Sequence, residues 1–141
     1  MATIESETPW HLRGNWAPVQ TEVTAENLTV EGSIPPQLEG VYIRTGPNPK
    51  SGFSPHWFMG DGMVHGVRLS RGKAEWYRNR VVQTPNITKT GNGSTPALDD
   101  LSNGSGNTHV VAHAGTILCL EEGHWPWKID KELNTVSFEN Y

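Results

Sequence analysis

The chain has 141 residues, the size of one domain, with 35% hydrophobic and 18% charged residues, 15 Gly and 10 Pro, a balance that suits short strands and turns rather than long helices. A formal net charge of −4 with 11 scattered Lys and Arg excludes the basic stripe that a phosphate backbone requires, so nucleic acid is not an expected partner. The single cysteine excludes an internal disulfide, and no apolar run approaches the ~20 residues of a membrane span or forms a secretory leader at MATIESETPW, so the expected location is cytoplasmic.

Residues 1–39 carry Pro9, Pro18, Pro35 and Pro36 and little periodicity, the pattern of an extended arm crossing a surface, with one short strand expected near Asn27 to Val30. Residues 40–141 form a second, strand-rich unit. It opens with Val41-Tyr42-Ile43-Arg44, a run of β-formers stopped by the turn residues Thr45-Gly46-Pro47-Asn48-Pro49. A second loop, Gly60-Asp61-Gly62, leads into Met63 to Leu69, and Ser70-Arg71-Gly72 turns the chain into Lys73 to Thr84, predicting a hairpin. Residues 85–107, dominated by Gly, Asn, Ser, Thr and Pro, predict a long surface loop, a lid or an entrance. His109 to Ala112 and Thr116 to Leu120 predict another hairpin across Ala114-Gly115, with a third strand over Trp125 to Ile129. The class is therefore all-β, an antiparallel meander, which suits a sandwich, a barrel or a propeller blade; no internal repeat chooses among them.

Six histidines suggest a metal centre. His109 and His113 share a strand face, yet four residues at ~3.3 Å per residue separate them by about 13 Å, too far to share one ion. His56 and His65 flank the glycine-rich loop, where hydrogen bonding or packing is the plainer role. Asp61, between two glycines, suits a carboxylate that locks its turn by accepting backbone N–H bonds. Cys119 lies in the apolar run Thr116 to Leu120 and suits a small buried hydrophobe better than a reactive thiol. Six tryptophans, Trp125 and Trp127 on one expected strand face, suggest an alternative from another class, a binding module with an aromatic platform.

Read as strings, GNWAPV, GSIPPQLEGVYIRTGPNP, HWFMGDGMVHGVRL, YRNRVVQT and NTHVVAHAGTILCLEEG follow one another in the order of the carotenoid cleavage oxygenase family, which the chain resembles from about Trp16 to Thr135. The resemblance implies the N-terminal part of a seven-bladed β-propeller, with both hairpins in its first blade. It also implies a non-haem Fe(II) dioxygenase that cleaves a conjugated C=C bond of a carotenoid, apocarotenoid or stilbene with O2, with a possible peripheral membrane contact. Its iron ligands would follow a strand ending near Asn134 and Thr135, so no histidine here is implied as a ligand and this chain alone is expected to hold no iron. It would then be an inactive propeller fragment by itself. The resemblance makes Gly46, Pro47, Asn48 and Pro49, and Gly60, Asp61 and Gly62, shape-determining loops whose glycines supply unusual dihedrals. It implies that Glu122, or else Glu121, accepts a hydrogen bond from a ligand histidine. Met59 stands where the family commonly has Asp, which predicts some loss of loop hydrogen bonding.

Overall fold

The computed structural model describes residues 8–90 and 99–141. Two four-stranded antiparallel sheets account for most of them. The first has the order β1-β4-β3-β2 and comprises β1 (Thr24–Glu26), β2 (Gly40–Pro47), β3 (Gly62–Ser70) and β4 (Lys73–Val81). The second, β5 (His109–His113), β6 (Thr116–Leu120), β7 (Trp127–Ile129) and β8 (Thr135–Phe138), is paired in chain order. The all-β antiparallel expectation holds. The placing of both hairpins in one blade does not, because β3–β4 and β5–β6 lie in different sheets, and the innermost edge of each, β2 and β5, faces the other.

Both hairpins close through two-residue turns with positive φ at each position, Arg71 (48°) and Gly72 (76°) in one, Ala114 (47°) and Gly115 (79°) in the other. This is the turn whose twist matches that of its flanking strands, and glycine at the second position adopts it without a Cβ clash. The arm strand falls at Thr24–Glu26 rather than Asn27 to Val30. Main-chain bonds continue from Asn27 N–H to Glu75 and from Leu28 N–H to Ala74, but the left-handed φ of 55° at Asn27 ends the extended run.

Part of the expected surface loop is helical: Pro85–Thr90 forms α1, and Leu101–Asn103 makes a single 3-10 turn, while residues 91–98 lie outside the described residues. Pro85 has the fixed φ that a first helical turn accepts, and Thr84 caps it by accepting from Ile87 N–H at 3.3 Å. Its apolar side chain, Ile87, packs with Met63 and Val81. β4 stops at Val81, β7 starts at Trp127 and β8 begins at Thr135, where the resemblance had a strand ending. The intervening turn explains that shift, since Asp130 Oδ1 accepts from Glu132 and Asn134 N–H, each at 2.8 Å, and holds 130–134 out of the ladder.

The core sits between the sheets. Val64 and Val82 from the first meet Cys119, Trp127, Ile129 and Leu133 from the second, with Ile43, Trp76, Val110 and Ile117 packed around them. Cys119 is fully buried, and burial pushes its thiol up to about 12, as suits a packing residue rather than a nucleophile. Gly66 leaves the space that Leu133 fills: a Cβ there would lie 3.0 Å from a Leu133 methyl and 3.2 Å from Val41. Arg78, stacked 4.4 Å from the Trp76 ring centre, pairs across to Glu132 and adds a charged tie between the sheets.

Candidate functional site

At one end of the two sheets β2 runs out and β3 begins, and the loops at these points meet the strand β5. A cleft of about 470 Å³ opens there, lined by Thr45, Gly46, Pro47, Trp57, Phe58, Asn107, Thr108 and Glu122. Its lining combines the aromatic Trp57 and Phe58 and Pro47 with the polar Thr45, Asn107, Thr108 and Glu122. Thr108 Oγ1 lies 3.1 Å from Asn107 Oδ1 and 3.2 Å from Glu122 Oε2 and donates to either, so the exposed Glu122 carboxylate keeps an oxygen facing the opening.

The loops that shape the cleft lock each other through main-chain groups. Asn48 N–H donates to Asp61 O at 2.7 Å, and Lys50 N–H to Asp61 Oδ2 at 2.8 Å, which gives Asp61 the turn-locking role expected of it. Burial pushes the Asp61 carboxyl up, only partly offset by the Lys50 amide, its own backbone and the Lys50 charge. The glycines act differently from the expectation. Gly46, Gly60 and Gly62 have no positive φ; Gly46 and Gly62 sit in strands, and Gly60 and Gly62 are sites of close approach. A Cβ on Gly62 would lie 2.4 Å from Ser105 O, and one on Gly60 3.0 Å from Pro49. The Met59 side chain is exposed, and the loop there is held by its main chain, with Met59 N–H donating to His56 O at 3.0 Å and its carbonyl accepting from the Ser54 hydroxyl.

Three buried asparagines, none of them singled out from the sequence for this role beyond Asn48 as a loop residue, bind segments together. Asn48 accepts from Val19 N–H at 2.7 Å and donates to Val19 O at 3.0 Å, pairing with the arm as a strand would. Asn79, 1% exposed, accepts from Val23 N–H at 2.6 Å and donates to Thr21 O at 3.3 Å. Asn107 donates to Phe58 O at 3.2 Å and Gly60 O at 2.8 Å, tying the glycine loop to the start of β5.

The histidines disperse. His11 reaches Ser54 O at 3.0 Å, His56 Nδ1 accepts from Phe58 N–H at 3.2 Å, and His109 and His113 are exposed on β5. His65 bonds the Tyr77 hydroxyl at 2.8 Å, and burial, helped by the Arg44 charge, lowers it to about 4. Among the described residues no three His, Cys, Asp or Glu side chains are grouped so as to hold a metal ion. Glu121 and Glu122, just past the end of β6, have different surroundings. Glu122 faces the cleft, whereas Glu121 Oε1 lies 2.5 Å from His124 Nδ1 in a nearly buried pair. Burial raises the Glu121 carboxyl, but hydrogen bonds from His124, Gly123 and Ser105 together outweigh it and hold it below the usual range.

The aromatic residues form no flat platform. Trp10, Trp16 and Trp57 meet edge to face at 5.1 to 6.0 Å, Trp125 is outside the strand and stacks on Phe138, and Trp127 is buried with its indole N–H 2.6 Å from Gly104 O. Among the described residues no helix is long and apolar enough to cross a membrane.

This architecture is that of known oxygenases. The lignostilbene dioxygenase of Pseudomonas brassicacearum superposes with a TM-score of 0.78 at 29% identity over 94% of this chain and 31% of that one. The cobalt-substituted apocarotenoid oxygenase of Synechocystis does so with a TM-score of 0.71 at 27% identity over 86% and 30%. The two sheets are thus a fragment of the β-propeller that these proteins share. The model of the retinal pigment epithelial membrane protein family matches residues 16–141, and the chain belongs to that family, the carotenoid cleavage oxygenases. A carotenoid cleavage oxygenase of Mycobacterium tuberculosis is 46% identical over 140 residues, which are 94% of this chain and 28% of the relative. The carotenoid 9,10(9',10')-cleavage dioxygenase 1 of Pisum sativum is 37% identical over 89% of this chain and 29% of its own length. The chain therefore spans less than a third of the length of these relatives.

Proposed function

We propose that this chain is the N-terminal part of a dioxygenase that cleaves a conjugated C=C bond of a carotenoid, apocarotenoid or stilbene with O2, each alkene carbon leaving as a carbonyl. Residues 1–39 serve as its arm and 40–141 as the opening of its propeller. The family match from Trp16 to Tyr141 carries the reading, and relatives named for carotenoid and resveratrol cleavage bracket the substrate class. In that reading Fe(II) would be held by histidines of the longer protein and would offer open coordination positions to O2.

The part of this chain in that chemistry is to shape the cleft and orient a ligand histidine through Glu122. Solved variants of the Synechocystis oxygenase replace a threonine and, fourteen positions later, a glutamate. Thr108 and Glu122 have that same spacing and are hydrogen-bonded here. That correspondence favours Glu122 over Glu121. A cytoplasmic location belongs to the same reading, and the exposed Trp10, Trp16, Phe53 and Phe58 are the residues suited to a peripheral membrane contact.

The test is to incubate resveratrol and an apocarotenal with ¹⁸O2 and protein made from the whole reading frame that contains this chain. The expected result is two carbonyl products per substrate, each carrying one heavy oxygen. Intact substrate with an iron-loaded protein overturns the reading, and glycan affinity without iron dependence would replace it by the binding module. The 141 residues alone are expected to bind less than stoichiometric iron and to leave both substrates uncut.

A further inference from the structure

At the cleft end the two sheets are joined through the backbone of one residue, Ser105. Ser105 N–H donates to Glu121 Oε2 at 3.1 Å, at the end of β6 in the second sheet. The same residue's carbonyl accepts from Gly62 N–H at 3.1 Å, at the start of β3 in the first sheet, and Gly62 O in turn accepts from Val82 N–H at 2.8 Å. Ser105 N–H and Ser105 O flank one Cα, so fixing the amide against Glu121 restrains where the carbonyl stands against Gly62.

Every neighbour of this relay leaves room for it and little else. A Cβ on Gly62 would collide with Ser105 O at 2.4 Å, and one on Gly104 with His124 Cβ at 2.5 Å. Glu121 Oε1 accepts from Gly123 N–H at 2.7 Å and meets His124 at 2.5 Å, which fixes the carboxylate's position, while Trp127 holds Gly104 O from the core side. The Thr45 hydroxyl, 3.1 Å from Gly106 O, supplies a second and uncharged tether to the first sheet.

We propose that Glu121 is a positioning residue: its carboxylate clamps the Gly104–Gly106 linker, and through the backbone of Ser105 sets the distance between the Gly60–Gly62 loop and the bend after β6 that carries Glu122. The two adjacent glutamates thereby divide the work. One faces the cleft; the other holds in place the segment whose next residues, Asn107 and Thr108, line it. The clamp depends on a negative charge, so it loosens on acidification. The charged groups around it are His124, its direct partner; Glu122, its chain neighbour; and Asp100, which lies close enough to feel both His124 and Lys89.

The consequence for the cleft rests on the role proposed for Glu122, but the clamp itself is read without any assay of activity. Amide hydrogen exchange at Ser105 and Gly62 is compared in wild type, Glu121→Leu and Glu121→Gln. Glu121→Leu is expected to lose about tenfold or more protection at both amides while the β5–β6 ladder keeps its own. Glu121→Gln retains an acceptor but not the charge, and its Gly62 protection is expected to fall between those of wild type and Glu121→Leu. In wild type the two amides lose protection together, towards the Glu121→Gln level, as pH falls below the usual carboxylate range, and in Glu121→Gln they do not. Gly62 protection that ignores Glu121→Leu overturns the clamp. If Glu121→Leu unfolds the sheets, the wild-type titration decides: joint loss at Ser105 and Gly62 with intact ladders supports the clamp, and independent loss refutes it. A failed cleavage assay with a positive exchange result would instead count against the oxygenase reading alone.

Discussion

The interior between the sheets and the seam where arm, loops and linker meet are built from opposite materials. The interior is Val64, Val82, Cys119, Trp127, Ile129 and Leu133, held by the removal of apolar surface from water. The seam is Asn48, Asn79, Asn107 and Asp61, all less than a tenth exposed, each bonded to main-chain atoms of another segment. Apolar packing tolerates small adjustments of direction and hydrogen bonds do not, so the seam is the part that fixes where the cleft-lining residues stand. The cleft is bordered by the seam, not by the core.

The largest effect that separates the two regions is expected from Leu133→Ala. Cutting back a side chain 1% exposed and packed on Gly66 should cost about 2–5 kcal/mol, seen as a lower denaturant midpoint for the whole molecule. Asn79→Ala comes next, at about 1–3 kcal/mol for the Val23 N–H it leaves unpaired. Its signature is local: protease should cut the arm near residues 19–23 before the sheets open. Cutting that begins in the sheets would erase the distinction.

A pH-dependent effect comes from His65, on β3. His65 takes a proton near 6.5 when unfolded and only near about 4 when folded, because burial and Arg44 disfavour its charge. Between those values the unfolded chain binds more protons, so stability falls as pH drops from about 6.5 towards 4. A thermal melt at successive pH values should show that decline, and His65→Gln should flatten it. Smallest is a turn outside both regions: Ala114→Asn, better suited to φ of 47°, should stabilise by about 0.5–1 kcal/mol in the same melt.

The contrast also explains what could be read from the sequence. Val41 to Arg44, Met63 to Leu69 and Thr116 to Leu120 announce themselves because β-formers bounded by Gly, Pro and Asn have one cheap arrangement. Asp61 was legible for the same reason, sitting between glycines that define its turn. Asn79 and Asn107 were not, since their partners are backbone atoms some 50 residues away that leave no side-chain signature. The real function of Gly62 was hidden likewise, because close approach to Ser105 depends on how two sheets meet. Helix α1 was missed because its brevity leaves no period, and its start depends on the single cap at Thr84. The role proposed for Glu122 rests on the family's motif; in the sequence nothing around it distinguishes it from an exposed turn acid.

Asn48 and Asn79 hold residues 19, 21 and 23 through their main-chain atoms alone. The side chains of those three residues are therefore open to change over evolutionary time, with proline barred at 19 and 23, where an N–H must be donated. A lineage could rewrite the arm to suit a new neighbour and keep its path across the molecule unchanged.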